Sequence, residues 1–220
     1  MPTKPLKSAR IGRPPTPQRD PRTHLLDAAT RLFAERGIAD TTLAQIAVAA
    51  GVTAAMVHYY FKSREQLLDA VMDERIAPII DVIWAPIERQ AVDPISIVPE
   101  LVARVIACVE SMPGLPSLWL REIINEGGQL RTRVIARIPS AAVQYFAMEI
   151  ASAQRRRKIN PDLEPRLVFI SIFGLTMLLL ATTSIRERLL HTADLDHAAL
   201  ARHITALLTD GLSGIQGRQS

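Results

Sequence analysis

Apolar residues recur at helical spacing along most of the chain, and the breaks between runs fall at glycine, proline and capping residues. Asp20-Pro21 reads as an N-cap followed by proline at the first helical position. Leu25, Leu26, Ala29, Leu32 and Phe33 repeat behind it until Gly37 ends the run. Thr41-Thr42 open a short second helix with Leu43, Ile46 and Ala47 on its apolar face. Gly51 suits a tight turn, and Thr53 caps a third helix that reaches Tyr60 or Phe61. Ser63 caps a fourth helix from Arg64, with Leu67, Leu68, Val71, Met72, Ile76 and Ile79 on its buried face, and Pro78 and Pro86 are expected to kink or divide it. Further helices are predicted from Asp93-Pro94 to about Ser111, from Leu115 to Glu126, and from Gln129 to about Lys158 with an interruption at Pro139. The last two run from Leu163 to about Leu190 and from Asp194 or Asp196 to near Gly211. No strand-like alternation of useful length and no internal repeat appears, so the predicted class is all-α.

Composition sharpens this picture. The 220 residues are 48% hydrophobic but only 5% aromatic, so the core must be mainly aliphatic, which favours packed helices over a β-sandwich. Cys108 is the only cysteine, which excludes an intrachain disulfide framework and a multi-cysteine zinc site. With no apolar secretory segment at the start, a reducing, cytoplasmic setting is expected. Charge is unevenly spread: residues 1–64 hold ten basic and four acidic side chains, the remainder sixteen and eighteen. A basic front on a slightly acidic body points to a polyanion held at the front end. Catalysis finds no support. The five histidines show no metal-ligand spacing, no glycine-rich phosphate loop follows a strand, and neither a cofactor nor a metal is expected.

Helix, glycine turn and helix over residues 42–61 have the spacing of a helix-turn-helix, whose second helix enters the major groove of DNA. The segments AATRLFAERG (28–37), TTLAQIAVAAGV (41–52) and HYYFKSREQLL (58–68) resemble the tetracycline-repressor (TetR) family of bacterial regulators. That resemblance is specific over about residues 22–70. It implies three units: a flexible, proline-rich basic arm over 1–19, a helix-turn-helix domain over 20–66, and a larger helical ligand-binding and dimerisation domain over 67–220. Two departures stand out. His58 occupies the family's usual tyrosine position and Tyr60 its usual histidine, and Arg64 replaces a common lysine. On a helix starting at Ala54, Val57 and Phe61 share the core face, whereas Ala54, Ala55, His58 and Tyr59 lie on other sides with Thr53 at the N-terminus. The expected DNA contacts are therefore Thr53, Ala54, Ala55, His58 and Tyr59, with phosphates held by Thr41 or Thr42 and by Lys62 and Arg64. Tyr60 stands between phosphate contact and core, and Met56 between a thymine methyl and packing. Arg13 lies in a Gly-Arg-Pro sequence that reads either as a minor-groove hook or as a solvated tail.

The body contains nineteen uncharged residues, LVFISIFGLTMLLLATTSI, at 167–185. This length admits a membrane helix, but hydroxyl residues dilute it and no second span exists, so a buried bundle helix is the expected reading. The resemblance implies a homodimer through the last two long helices, with Leu189, Leu195, Leu200, Ile204, Leu207 and Leu208 completing the seam. It also implies a small-molecule effector, for which Trp84, Cys108, Met112, Trp119, Glu122, Asn125, Tyr145, Phe146, Met148 and Met177 are the candidate pocket residues, with plain core packing the alternative for each. The function expected is a repressor that binds a palindromic DNA operator as a dimer and is released by its effector. A constitutive DNA-binding dimer and a membrane-tethered helical protein are the alternatives.

Overall fold

The computed structural model describes residues 20–88 and 93–213. It is helical throughout these residues, with no strand among them. The first helix, α1 (Pro21–Arg36), starts at Asp20, whose carboxylate accepts from the Arg22 N–H at 3.3 Å. It stops at Gly37, which adopts φ +90° and donates its N–H to the Phe33 carbonyl. Helix α2 (Leu43–Ala49) carries a capping box: the Gln45 N–H donates to Thr42 Oγ1 at 3.2 Å and the Thr42 N–H to Gln45 Oε1 at 2.8 Å. Gly51, at φ +68°, turns the chain into α3 (Ala54–Tyr60), capped by Thr53. Ser63 caps α4 (Arg64–Val71), its Oγ accepting from the Gln66 N–H at 3.2 Å. The expected starts of these four helices are met, as are the expected ends of the first three. Helices α1 to α3, here called the head, pack around Leu25, Leu26, Phe33, Ile46, Val57, Phe61 and Leu67.

From α4 the chain passes through a π-helical turn, Met72–Ile76, into α5 (Ala77–Glu88). Of the two outcomes expected at Pro78 and Pro86, a kink or a division, division does not occur: helical conformation runs unbroken from Arg64 to Glu88. A proline at position i cannot donate to the carbonyl four residues back, which leaves Glu74 and Val82 without their helical donors. Both carbonyls are taken by guanidinium groups: Arg75 Nη1 donates to Glu74 O at 3.0 Å, and Arg104 Nη1 donates to Val82 O at 2.9 Å. Ile79 is only half-buried, and Ile80 is the buried side chain at that turn.

The body is organised around α6 (Ile97–Ser111), which packs against α5 and the two late helices α10 (Val168–Ala181) and α12 (His197–Ser213). Between them lie α7 (Leu115–Trp119), a second π turn over Leu120–Ile124, α8 (Arg131–Arg137) and α9 (Ser140–Arg155). The break between α8 and α9 falls at Pro139 as expected, with Ile138 before it pushed to extended backbone at ψ 127°. The helix expected from Leu163 to Leu190 is instead three pieces: a 3-10 turn over Pro165–Leu167, α10, and α11 (Thr183–Leu190), with a bend of 67° at the break. Side chains cause the break. Thr182 and Thr183 hydroxyls donate back to Leu178 and Leu180 carbonyls at 2.7 and 2.9 Å, and the buried Arg186 donates to Leu179 O. No single helix among the described residues is long and apolar enough to cross a membrane. Along α12, Leu200 and Ile204 are buried within the chain, in the helix that packs on α6, so these two leave the predicted dimer seam. Leu189, Leu195 and Leu207 are exposed, and Leu208 is partly buried.

Candidate nucleic-acid interface

Helices α2 and α3 meet at 104°, within the range of a DNA-binding helix-turn-helix. Val57 and Phe61 are buried and anchor α3 from below. On its other side Thr53, Ala54, Ala55, His58 and Tyr59 are exposed together, and Tyr59 is 79% exposed. Tyr60 is partly buried against the core, and its ring meets that of Tyr59 edge-on with centroids 5.2 Å apart. It therefore braces Tyr59 from behind. Met56 is half-buried beside this surface.

Two expected phosphate contacts take other roles. Thr41 is fully buried, and its hydroxyl donates to the Gly37 carbonyl at 2.7 Å, which leaves Thr42, exposed at the start of α2, as the residue at that end able to meet a phosphate. Arg64 is turned inward: Nη1 donates to the Thr41 carbonyl at 2.7 Å and Nη2 to the Ile38 carbonyl, so the guanidinium fastens the α1–α2 turn to α4. Lys62 remains exposed at the end of α3. Arg13 lies outside the described residues.

Sequence reasoning passed over two residues here. Val48 on α2 is 81% exposed, an apolar side chain standing on the outer face of the unit. Its signal was its place off the Leu43, Ile46, Ala47 face. Arg22 lies over the Phe61 ring, 5.3 Å from the centroid, and its guanidinium forms a two-pronged ion pair with Glu74, with Nη1 2.6 Å from Oε2. The hydrogen bonds from Arg22 hold the Glu74 carboxyl below its ordinary pKa. This pair ties the start of α1 to the end of α3 and to the first π turn. No local pattern marks it, since the partners are 52 residues apart.

The candidate pocket residues separate. Trp84 stacks on Phe169 at 4.1 Å, Phe146 and Phe173 flank Phe169, and Trp119 meets Phe173 edge-on at 5.6 Å, so five rings run through the body. Met177 is buried one turn beyond Phe173 on α10. Cys108 is buried, and desolvation raises its thiol pKa, which disfavours the thiolate. Tyr145 is partly buried, next to Phe146 in sequence. Met112 instead lines a cleft of about 650 Å³ between α1, α5 and the α6–α7 turn. Met148 is exposed, and Asn125 is exposed in a turn where its Oδ1 accepts from the Gly127 N–H, so neither stands with the rings. Glu122 is buried away from the expected pocket role: Oε1 accepts from the Ile38 N–H at 2.8 Å and Oε2 from the Gln129 N–H at 3.0 Å.

Residues 25–71 match the family model described as bacterial regulatory proteins, tetR family. Over 88 residues the chain is 34% identical to the HTH-type transcriptional regulator AcrR of Shigella flexneri, a match that takes in 39% of this chain and 40% of that relative. The match thus spans about two fifths of the relative's length. Solved structures extend the likeness to the whole fold. The ketosteroid transcriptional regulator KstR2 of Mycobacterium tuberculosis superposes with a TM-score of 0.68 at 18% identity, covering 89% of this chain and 96% of that one. AibR in complex with isovaleryl coenzyme A and operator DNA superposes with a TM-score of 0.67 at 19% identity, covering 86% and 98%. Residues 25–71, which hold the head's motif, are thus similar to the bacterial regulatory proteins of the tetR family, and the chain as a whole shares the fold of these solved structures.

Proposed function

We propose that the protein is a DNA-binding transcriptional regulator that acts as a homodimer, represses from a palindromic operator, and is released by a small molecule. The observation that carries this reading is the outward presentation of Thr53, Ala54, Ala55, His58 and Tyr59 on a recognition helix anchored by Val57 and Phe61. Tyr and His side chains donate to phosphates and base edges, and two-fold pairing places two such helices about one DNA turn, roughly 34 Å, apart. Dimerisation is supported by Leu167, Ile170, Leu178, Leu189, Leu190 and Leu207, large apolar side chains of the late helices left half exposed or more. The effector reading is supported by AibR, whose structure holds isovaleryl coenzyme A together with operator DNA. In this chain the aromatic file between Trp84 and Trp119 is the site proposed for the effector's apolar part, which enters by parting rings that otherwise pack on one another. Binding there shifts the balance between head spacings that fit the operator and those that do not.

The test is in vitro selection of DNA fragments by the purified protein, followed by binding measurements with His58→Ala and Tyr59→Ala. A palindrome is expected to emerge, and each variant should lose roughly tenfold or more in affinity while its thermal unfolding stays that of the wild type. If both variants bind the selected palindrome normally, α3 is not the reading element. Acyl-coenzyme A compounds added to the complex should release DNA and change tryptophan fluorescence, since both tryptophans, Trp84 and Trp119, sit in the file.

A further inference from the structure

Among the described residues Glu122 is the one acidic side chain that is buried, at 6% exposure. A carboxylate taken out of water is costly and persists only where donors meet it. Its two donors are main-chain N–H groups from opposite sides of the head–body boundary. Ile38 belongs to the turn between α1 and α2, 84 residues away, and Gln129 lies just before α8. Glycines lie against Glu122 on both sides, Gly37 beside its carboxylate and Gly128 against its main chain. A Cβ on Gly37, itself at φ +90°, would stand 3.4 Å from Glu122 Oε1, and a Cβ on Gly128 would stand 2.3 Å from the Glu122 carbonyl oxygen.

The contact continues into the head. While the Ile38 N–H is held by Glu122, the Ile38 carbonyl is held by Arg64, which also grips Thr41 directly before the cap of α2. Arg64 opens α4 three residues after Phe61, the C-cap of α3. A carboxylate, one residue's main chain and a guanidinium therefore link the second π turn to both ends of the helix-turn-helix. On its other side that π turn begins next to Trp119, the last ring of the aromatic file.

Resting on the regulatory reading above, we infer that Glu122 is a positioning residue for the recognition helix. Its carboxylate fixes the α1–α2 turn on the body, so that any displacement of Leu120–Ile124 is delivered through Ile38 and Arg64 to α3. Charge-assisted hydrogen bonds to a buried carboxylate are among the strong ones, and losing one exposes the corresponding amide.

The test uses the full chain and Glu122→Gln, which keeps the side chain's shape and one carbonyl acceptor but turns an NH2 group toward the second amide. In wild-type protein the Ile38 amide, which lies outside any helix, should exchange with solvent as slowly as the helical amides around it. In Glu122→Gln that amide should exchange at least about tenfold faster while α6 and α10 keep their protection. Affinity for the selected operator should fall about fivefold or more, with affinity for unrelated DNA unchanged, a split that general loss of structure would not produce. Free exchange at Ile38 in the wild type overturns the inference, as does a variant that alters neither Ile38 exchange nor operator affinity. Uniform loss of protection throughout the variant, with both affinities falling together, also overturns it. If the wild type selects no operator, the regulatory reading fails on its own account while the Ile38 exchange still judges the contact.

Discussion

The head, with the α4 that adjoins it, and the body start their helices differently. Helices α1 to α4 are each started by a side chain at the N-cap, from Asp20, Thr42, Thr53 and Ser63, accepting a main-chain N–H two or three residues ahead. From α6 to α11 no N-cap residue makes such a bond, and of these later helices only α12 starts this way, the Asp196 carboxylate accepting from the Ala199 N–H at 2.7 Å. Helices of seven or eight residues are too short to stand alone in water, and in the head the caps add local bonds to the packing that holds them. The body positions its helices through packing on α6 instead. The head is a locally encoded unit that presents a fixed surface. The body is specified by contacts between distant residues.

The sharpest way to break this contrast is to empty the head's core. Phe61→Ala should cost about 3–4 kcal/mol in chemical denaturation, because the ring is buried and supports both Val57 and the Arg22 guanidinium. DNA binding should be lost with it. Next in size is the cap itself. Thr53→Ala should cost about 1 kcal/mol, whereas Ser140→Ala at the start of α9 should stay within about 0.5 kcal/mol, since that helix starts without a side-chain cap. Equal losses at the two sites would remove the distinction between local and tertiary encoding. The smallest effect is electrostatic. The folded-state pKa of Glu74 is depressed by Arg22, so the pair's contribution is complete above the carboxyl's ordinary value of 4.5 and disappears as pH falls through the lower folded value. Both side chains are over a third exposed, which screens the pair to a few tenths of a kcal/mol. The melting temperature of Arg22→Gln should accordingly lie slightly below wild type at neutral pH and converge with it in acid.

The same division decides what the sequence discloses. Asp20, Thr42, Thr53 and Ser63 are legible because each acts within three residues, and Gly37 and Gly51 because each carries a positive φ where a helix must stop. The pattern could not choose between Thr41 and Thr42: both are threonines at the start of a helix, and the choice rests on Gly37 and Leu32 carbonyls beneath one of them. Arg64 reads as a phosphate clamp by position, yet its partners lie 23 and 26 residues back. Glu122 reads as a pocket residue beside a tryptophan, yet it meets a head turn 84 residues away. In the late apolar run, hydrophobicity predicted one helix, and the break came from hydroxyls turning back onto their own carbonyls.

The two prolines in the helical stretch from Arg64 to Glu88 have a mechanical consequence. At about 1.5 Å per residue that stretch is a rod roughly 37 Å long, reaching from the edge of the recognition helix into the body. Each proline would ordinarily be a point of compliance, where a lever loses the angle it is meant to carry. Arg75 closes one gap from within the rod, and Arg104 closes the other from the neighbouring helix. With both prolines bridged in this way, each carbonyl that a proline leaves without its helical donor has a guanidinium partner, and helical conformation passes through both positions from the edge of the head into the body.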